Sequence, residues 1–91
     1  MGQVVITANA MSTINEAHGE ERGKQLVQQV LARHNAGDWG EMDAEDVESN
    51  NQGLQEGDRL FSSYEKEFGF QVWVITEWDR SYTTVMLPSD Y

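Results

Sequence analysis

The stretch that decides the fold runs Phe70-Gln-Val-Trp-Val-Ile-Thr-Glu-Trp-Asp-Arg-Ser-Tyr-Thr-Thr-Val-Met-Leu87. Its flanks are rich in β-branched and aromatic residues. Between them Trp78-Asp79-Arg80-Ser81 is polar turn chemistry, so the whole reads as a β-hairpin. Val72, Trp73, Val74 and Ile75 form an unbroken apolar run, and a strand of that kind needs cover on both faces. It belongs inside a sheet, and the rest of the chain must supply neighbouring strands and a helix to lie across them.

Working outward, residues 59–67 alternate two faces, with Leu60, Ser62 and Tyr64 against Phe61, Ser63 and Glu65, and predict a preceding strand. Glu67-Phe68-Gly69 turns into the central strand, and Pro88 ends the last one. Ser62 and Ser63 have no base near them in sequence and read as ordinary strand residues. Further upstream, Gln3 to Ala8 predicts a first strand through Val4, Val5 and Ile6. Ser12 and Thr13, with Glu16 at capping-box spacing, predict a short helical turn that Gly19 breaks. Glu20 and Glu21 then open a main helix with a stripe of Leu26, Val27, Val30 and Leu31. Arg33 and His34 occupy its last turn, where cations are favoured, and Gly37 stops it. Asp43 is an N-cap for a second, acidic helix, with Val47, Asn51 and Leu54 on its inner face and Gly57 as its stop. Trp39 and Met42 pin its entry. The expectation is a single α+β domain over residues 1–91. A three- to four-stranded antiparallel sheet, chiefly a C-terminal meander, packs against one main helix, with the acidic helix at its side.

A chain of 91 residues with 38% hydrophobic content can bury a modest core. The absence of cysteine excludes a disulfide framework and a thiolate metal site. Neither a signal peptide nor a membrane span is legible, so a cytoplasmic location is expected. The formal net charge of −10 opposes direct binding to nucleic acid or to an anionic membrane, and favours a basic protein partner. The charge also serves solubility. It is concentrated between residues 38 and 58, where Asp38, Glu41, Asp43, Glu45, Asp46, Glu48, Glu56 and Asp58 occur without a Lys or Arg.

Several pieces follow one another in an order that resembles a known family. They are Arg33-His34-Asn35-Ala36-Gly37-Asp38-Trp39-Gly40, Asp43-Ala44-Glu45-Asp46, Gly57-Asp58-Arg59-Leu60-Phe61-Ser62-Ser63-Tyr64, Trp73 to Ser81 and Thr83 to Tyr91. The chain is similar, over roughly Gln3 to Tyr91, to small proteins of plasmids, phages and integrated elements. These carry descriptions such as "plasmid-related protein" or "type I restriction endonuclease subunit M". Trp78 stands where a small residue such as Ala is commoner, and Phe61 where Leu is commoner. The resemblance implies a mobile-element context and a compact domain. It does not imply methyl transfer, because the glycine-rich cofactor loop and the catalytic motif of a methyltransferase are both missing. No cofactor is expected.

Three constellations carry candidate chemistry. His34, Asp38, Asp43 and Asp46 are metal-ligating types, although their spacing matches no calcium loop and each also has a helix-end role. His34, Glu77, Asp79 and Arg80 could supply base, acid and anion clamp for a small hydrolase or nuclease, if they converge. Polar residues at a hairpin tip are also what a turn needs. Trp39 and Trp73 read as core, whereas Trp78, at the start of a turn between Glu77 and Asp79, reads as an interface anchor. The leading expectation is a non-enzymatic interaction protein. Its contact residues would be Asp38, Glu41, Asp43, Glu45, Asp46, Glu48, Glu77, Trp78, Asp79 and Arg80, set against a basic surface on a nucleic-acid-handling protein. The alternatives are the hydrolase and a homodimer formed through the sheet edge.

Overall fold

The computed structural model describes residues 3–91; the part of the N-terminal reading that falls on Met1 and Gly2 lies outside them. The elements in chain order are β1 (Gln3–Ile6), α1 (Ala8–His18), α2 (Glu20–Asn35), α3 (Ala44–Glu56), β2 (Leu60–Tyr64), β3 (Val72–Thr76) and β4 (Tyr82–Met86), followed by a single 3-10 turn (Pro88–Asp90). The architecture is α+β, with the strands in one sheet of order β1-β4-β3-β2. As the apolar run demands, β3 lies between two neighbours. It pairs antiparallel to β2 through Ser62↔Val74 and to β4 through Val74↔Val85.

Two expectations are corrected. The sheet is mixed rather than antiparallel, because β1 runs parallel to β4, with Val5 opposite Thr84. The reason is α1. Thr7, not Ser12 or Thr13, is the N-cap: its hydroxyl accepts the N–H of Ala10. Eleven helical residues therefore follow β1 directly, where only a short turn was expected. The helical hairpin α1–α2, and the excursion through α3 and the β2–β3–β4 meander, return the chain beside β1 in the parallel sense.

The core sits between the sheet and the hairpin. Ile14 of α1 and Leu26, Val27 and Val30 of α2 meet Tyr64, Val72, Val74 and Val85 of the strands, with Phe68 of the β2–β3 connection closing one end. The two helices approach closely at Gly23, where a Cβ would stand 2.9 Å from Ile14 Cγ2. On the opposite face Ile75 is fully buried, while Trp73 is half-buried against Phe61 (ring centroids 4.8 Å apart) and Tyr91 (5.7 Å). Trp73 is thus on the outer face and not in the core, whereas Trp39 is buried as expected.

The acidic helix, α3, forms as its caps predict, with Asp43 accepting from Asp46 N and Gly57 in the left-handed region at its end. Its inner face is different from the expected one. Asn50 and Gly53 are buried and Leu54 is 52% exposed. Asn50 makes the difference. Its amide donates to Phe61 O (2.5 Å) and accepts from Phe61 N (3.0 Å), as a neighbouring strand would. Beyond it, Gly40 bridges Ser63: Ser63 N donates to Trp39 O and Glu41 N donates to Ser63 O. The β2 edge is closed along its length.

Candidate functional site

His34 ends the stripe begun by Val27, Val30 and Leu31, at positions i, i+3, i+4 and i+7 on α2. It faces the sheet rather than water, and is 2% exposed. Nδ1 lies 2.5 Å from Ser62 Oγ, Nε2 lies 2.8 Å from Thr76 Oγ1, and Thr76 Oγ1 lies 2.8 Å from Thr83 Oγ1. The imidazole therefore spans β2 and β3 and begins a chain of hydroxyls that ends on β4. Trp39 packs edge-on against its ring. Burial, and secondarily the charge of Arg80, push its pKa down to about 4. It is a neutral core histidine, not the helix-end cation expected. Ser62 does have a base beside it. However, Ser62 is fully buried, and the second histidine nitrogen meets a threonine hydroxyl where a nucleophile's base would have a carboxylate.

The other proposed hydrolytic groups have other partners. Asp79 Oδ1 accepts from Ser81 N (3.0 Å), which closes the turn; the Ser81 hydroxyl, and then this backbone bond, lower the Asp79 pKa. Glu77 lies 3.9 Å from Arg59. Arg80 stands near enough for its charge to act on His34, but its guanidinium is aimed elsewhere. Nη1 donates to Asp58 O (2.6 Å) and Glu77 O (3.2 Å), and Nη2 donates to Gly53 O (3.1 Å). Arg80 caps the C-terminal end of α3 with a cation and joins it to the β3–β4 turn. It does so from a backbone φ of +62°, which a non-glycine residue adopts only when its surroundings hold it there. No hydrogen bond joins His34 to Glu77, Asp79 or Arg80 among the described residues.

The metal reading meets the same obstacle. Asp38 makes a two-pronged pair with Arg33 (Nε 2.8 Å, Nη2 3.2 Å) and also accepts from Gly40 N. The Arg33 hydrogen bond holds its carboxyl below the usual range. Arg33 also contacts Glu67 and lies over the Tyr64 ring, whose hydroxyl donates to Asp38 O at 2.6 Å. Asp43 caps α3. Among the described residues no group of three or more His, Cys, Asp or Glu side chains could hold a metal ion.

What remains is a surface. Of the proposed contact residues, Asp38, Glu41, Asp43, Glu77, Asp79 and Arg80 are engaged within the chain. Glu41 accepts from Glu65 N and Lys66 N at the exit of β2. Glu45, Asp46 and Glu48 are exposed on α3 and make no ion pair among the described residues. Asp46 has its pKa raised, chiefly by the charge of Asp43. Trp78 is 68% exposed in the turn that Arg80 fastens to α3.

Sequence reasoning missed the His34 hydroxyl chain and the Asn50 cap. The first had a signal: Ser62, Thr76 and Thr83 are polar residues on the inward register of strands, opposite a histidine on an apolar stripe. The second had none beyond an Asn in a helix that is short of apolar residues. No helix among the described residues is long and apolar enough to cross a membrane. No protein family, curated protein or solved structure matches the chain.

Proposed function

We propose that this chain is a small non-enzymatic interaction protein that binds a basic protein surface through α3 and the adjoining Trp78 turn. The observation that carries the reading is the Arg80 clamp. It fixes a large exposed aromatic at the end of a helix whose Glu45, Asp46 and Glu48 make no ion pair among the described residues. Glu45 and Glu48, three residues apart, lie on neighbouring positions of one helical face. An exposed tryptophan at the C-terminal end of α3 and unpaired acids in its N-terminal half together supply an anchor and an electrostatic flank for an interface. In keeping with the resemblance to mobile-element proteins, the partner is a nucleic-acid-handling protein of the host or the element. The acids of α3 then occupy the place that phosphates otherwise take on it.

Titration against a panel of basic DNA-processing nucleases tests this. Association should weaken as salt rises, fall with Glu45→Lys and Glu48→Lys, and fall further with Trp78→Ala. A complete absence of salt-sensitive association across the panel would remove the reading.

A further inference from the structure

We propose that the chain forms a two-fold dimer in which β1 pairs antiparallel with β1 of a second copy. Hydrogen bonds from Gln3 N to Ser81 O and from Thr7 N to Val85 O set the odd-numbered residues of β1 toward β4. By the alternation of a parallel ladder, the N–H and C=O groups of Val4 and Ile6 point away from the sheet. No backbone partner meets them among the described residues. Val4 and Val5 are 38% and 41% exposed. β1 is short, four residues, but carries no charge, no proline and no bulge to keep it from pairing.

Charge identifies the occupant. In a chain of net charge −10, residues 3–15 contain no charged side chain at all. A basic partner finds nothing there to attract it, while a second copy meets no acid along the strand. Backbone groups at an edge are complementary to an identical edge under a two-fold axis normal to the sheet. In that arrangement Val4 faces Ile6 of the second copy, giving about four backbone hydrogen bonds, and Val5 faces Val5 on the axis. The axis keeps the helical hairpins of both copies on one side. A groove between α1 and α2, about 380 Å³ and lined by Ile6, Met11 and Leu31 together with Glu20 and Lys24, begins at the same strand. The assembly closes at two copies, because Asn50 and the Gly40 bridge already occupy the only other edge of the sheet. It also leaves α3, on the far side of the sheet, free.

The test is sedimentation of the full chain together with three variants. Wild type should dimerise, and more strongly at about 1 M than at about 0.05 M salt, since salt relieves repulsion between two acidic copies. A partner held by opposite charge would show the reverse dependence. The chain has no cysteine, so Val5→Cys introduces a unique thiol. Residues paired on the axis without hydrogen bonds have Cα atoms about 4.5 Å apart, within disulfide reach, so this variant should oxidise to a covalent dimer while Glu48→Cys does not. Val4→Pro removes an outward N–H without touching the β4 ladder, and should weaken the dimer about tenfold with an unchanged unfolding midpoint at concentrations where both chains are monomeric. Val5→Lys should yield monomers. A chain that stays monomeric at both salts, or a dimer that survives Val5→Lys, would overturn the proposal.

Discussion

Acidification from pH 8 to pH 5 should destabilise this protein through His34. The free imidazole has a pKa near 6.5, and burial among Ser62, Thr76 and Trp39, with Arg80 nearby, lowers it to about 4. The folded state therefore binds fewer protons than the unfolded state throughout that interval, and stability falls as pH falls from 6.5 toward 4. The full displacement corresponds to about 3 kcal/mol, and about 2 kcal/mol of it is lost by pH 5. Both hydroxyl partners can accept from an imidazolium, so the cost lies in burying the charge and not in broken hydrogen bonds. Asp38, Asp79 and Asp90 also have lowered pKa values, but their contribution disappears only in more acid solution. The raised pKa of Asp46 acts in the opposite sense, adding stability as pH falls, so a loss of stability above pH 5 reports the histidine. Urea denaturation at intervals of pH should move the midpoint by about 2 M, given a slope of about 1 kcal/mol per M for a domain this small. The His34→Gln variant should lose that dependence. Proton NMR should place the His34 titration well below 6. Refutation would be an ordinary midpoint near 6.5, or a denaturation curve unmoved between pH 8 and 5.

Other perturbations follow from the same contacts. Gly40 has φ +75°, and a Cβ there would stand 2.1 Å from Ser63 O and 2.8 Å from Tyr64 Cδ1, so Gly40→Ala should cost about 3 kcal/mol by thermal or chemical melting. Asn50→Ala strands both backbone groups of Phe61 and should cost about 2 kcal/mol, with faster amide exchange along β2. Arg80→Ala should cost about 2 kcal/mol, and Arg80→Gly about 1 kcal/mol less than that, because glycine relieves the left-handed backbone. Leu54→Ala, which the expected inner face would make damaging, should change stability by less than about 0.5 kcal/mol.

The parts of the fold that were legible in the sequence are those governed by short-range chemistry. The Trp78 to Ser81 turn, the interior position of Val72 to Ile75, the Asp43 cap and the Gly57 stop are each fixed by neighbouring residues and periodicity. The parallel β1 was not, since strand sense depends on where some 75 intervening residues return the chain. α1 was misjudged because Thr7 was assigned to the strand, which shifted the cap five residues late. At the candidate site, the exposed Trp78 and the free acids of α3 could be read from residue type. The structural roles of Asp38, Glu41 and Arg80 could not, because their partners lie on other elements.

The hydroxyl chain from Ser62 through His34 and Thr76 to Thr83 has a consequence for strand alignment. Oily positions in a sheet tolerate one another's neighbours, but an imidazole enclosed on all sides accepts only a polar contact. Sliding β2 so that Phe61 takes the place of Ser62 would set a phenyl ring against Nδ1, whereas the opposite slip brings Ser63 there; a slip of β4 that brings Tyr82 in for Thr83 would take the hydroxyl from Thr76, whereas Thr84 would restore one. The histidine thus penalises one direction of slip on β2 and not the other. Any lineage replacing it with an aliphatic side chain would strand the buried Ser62 hydroxyl, while Thr76 and Thr83 would keep each other.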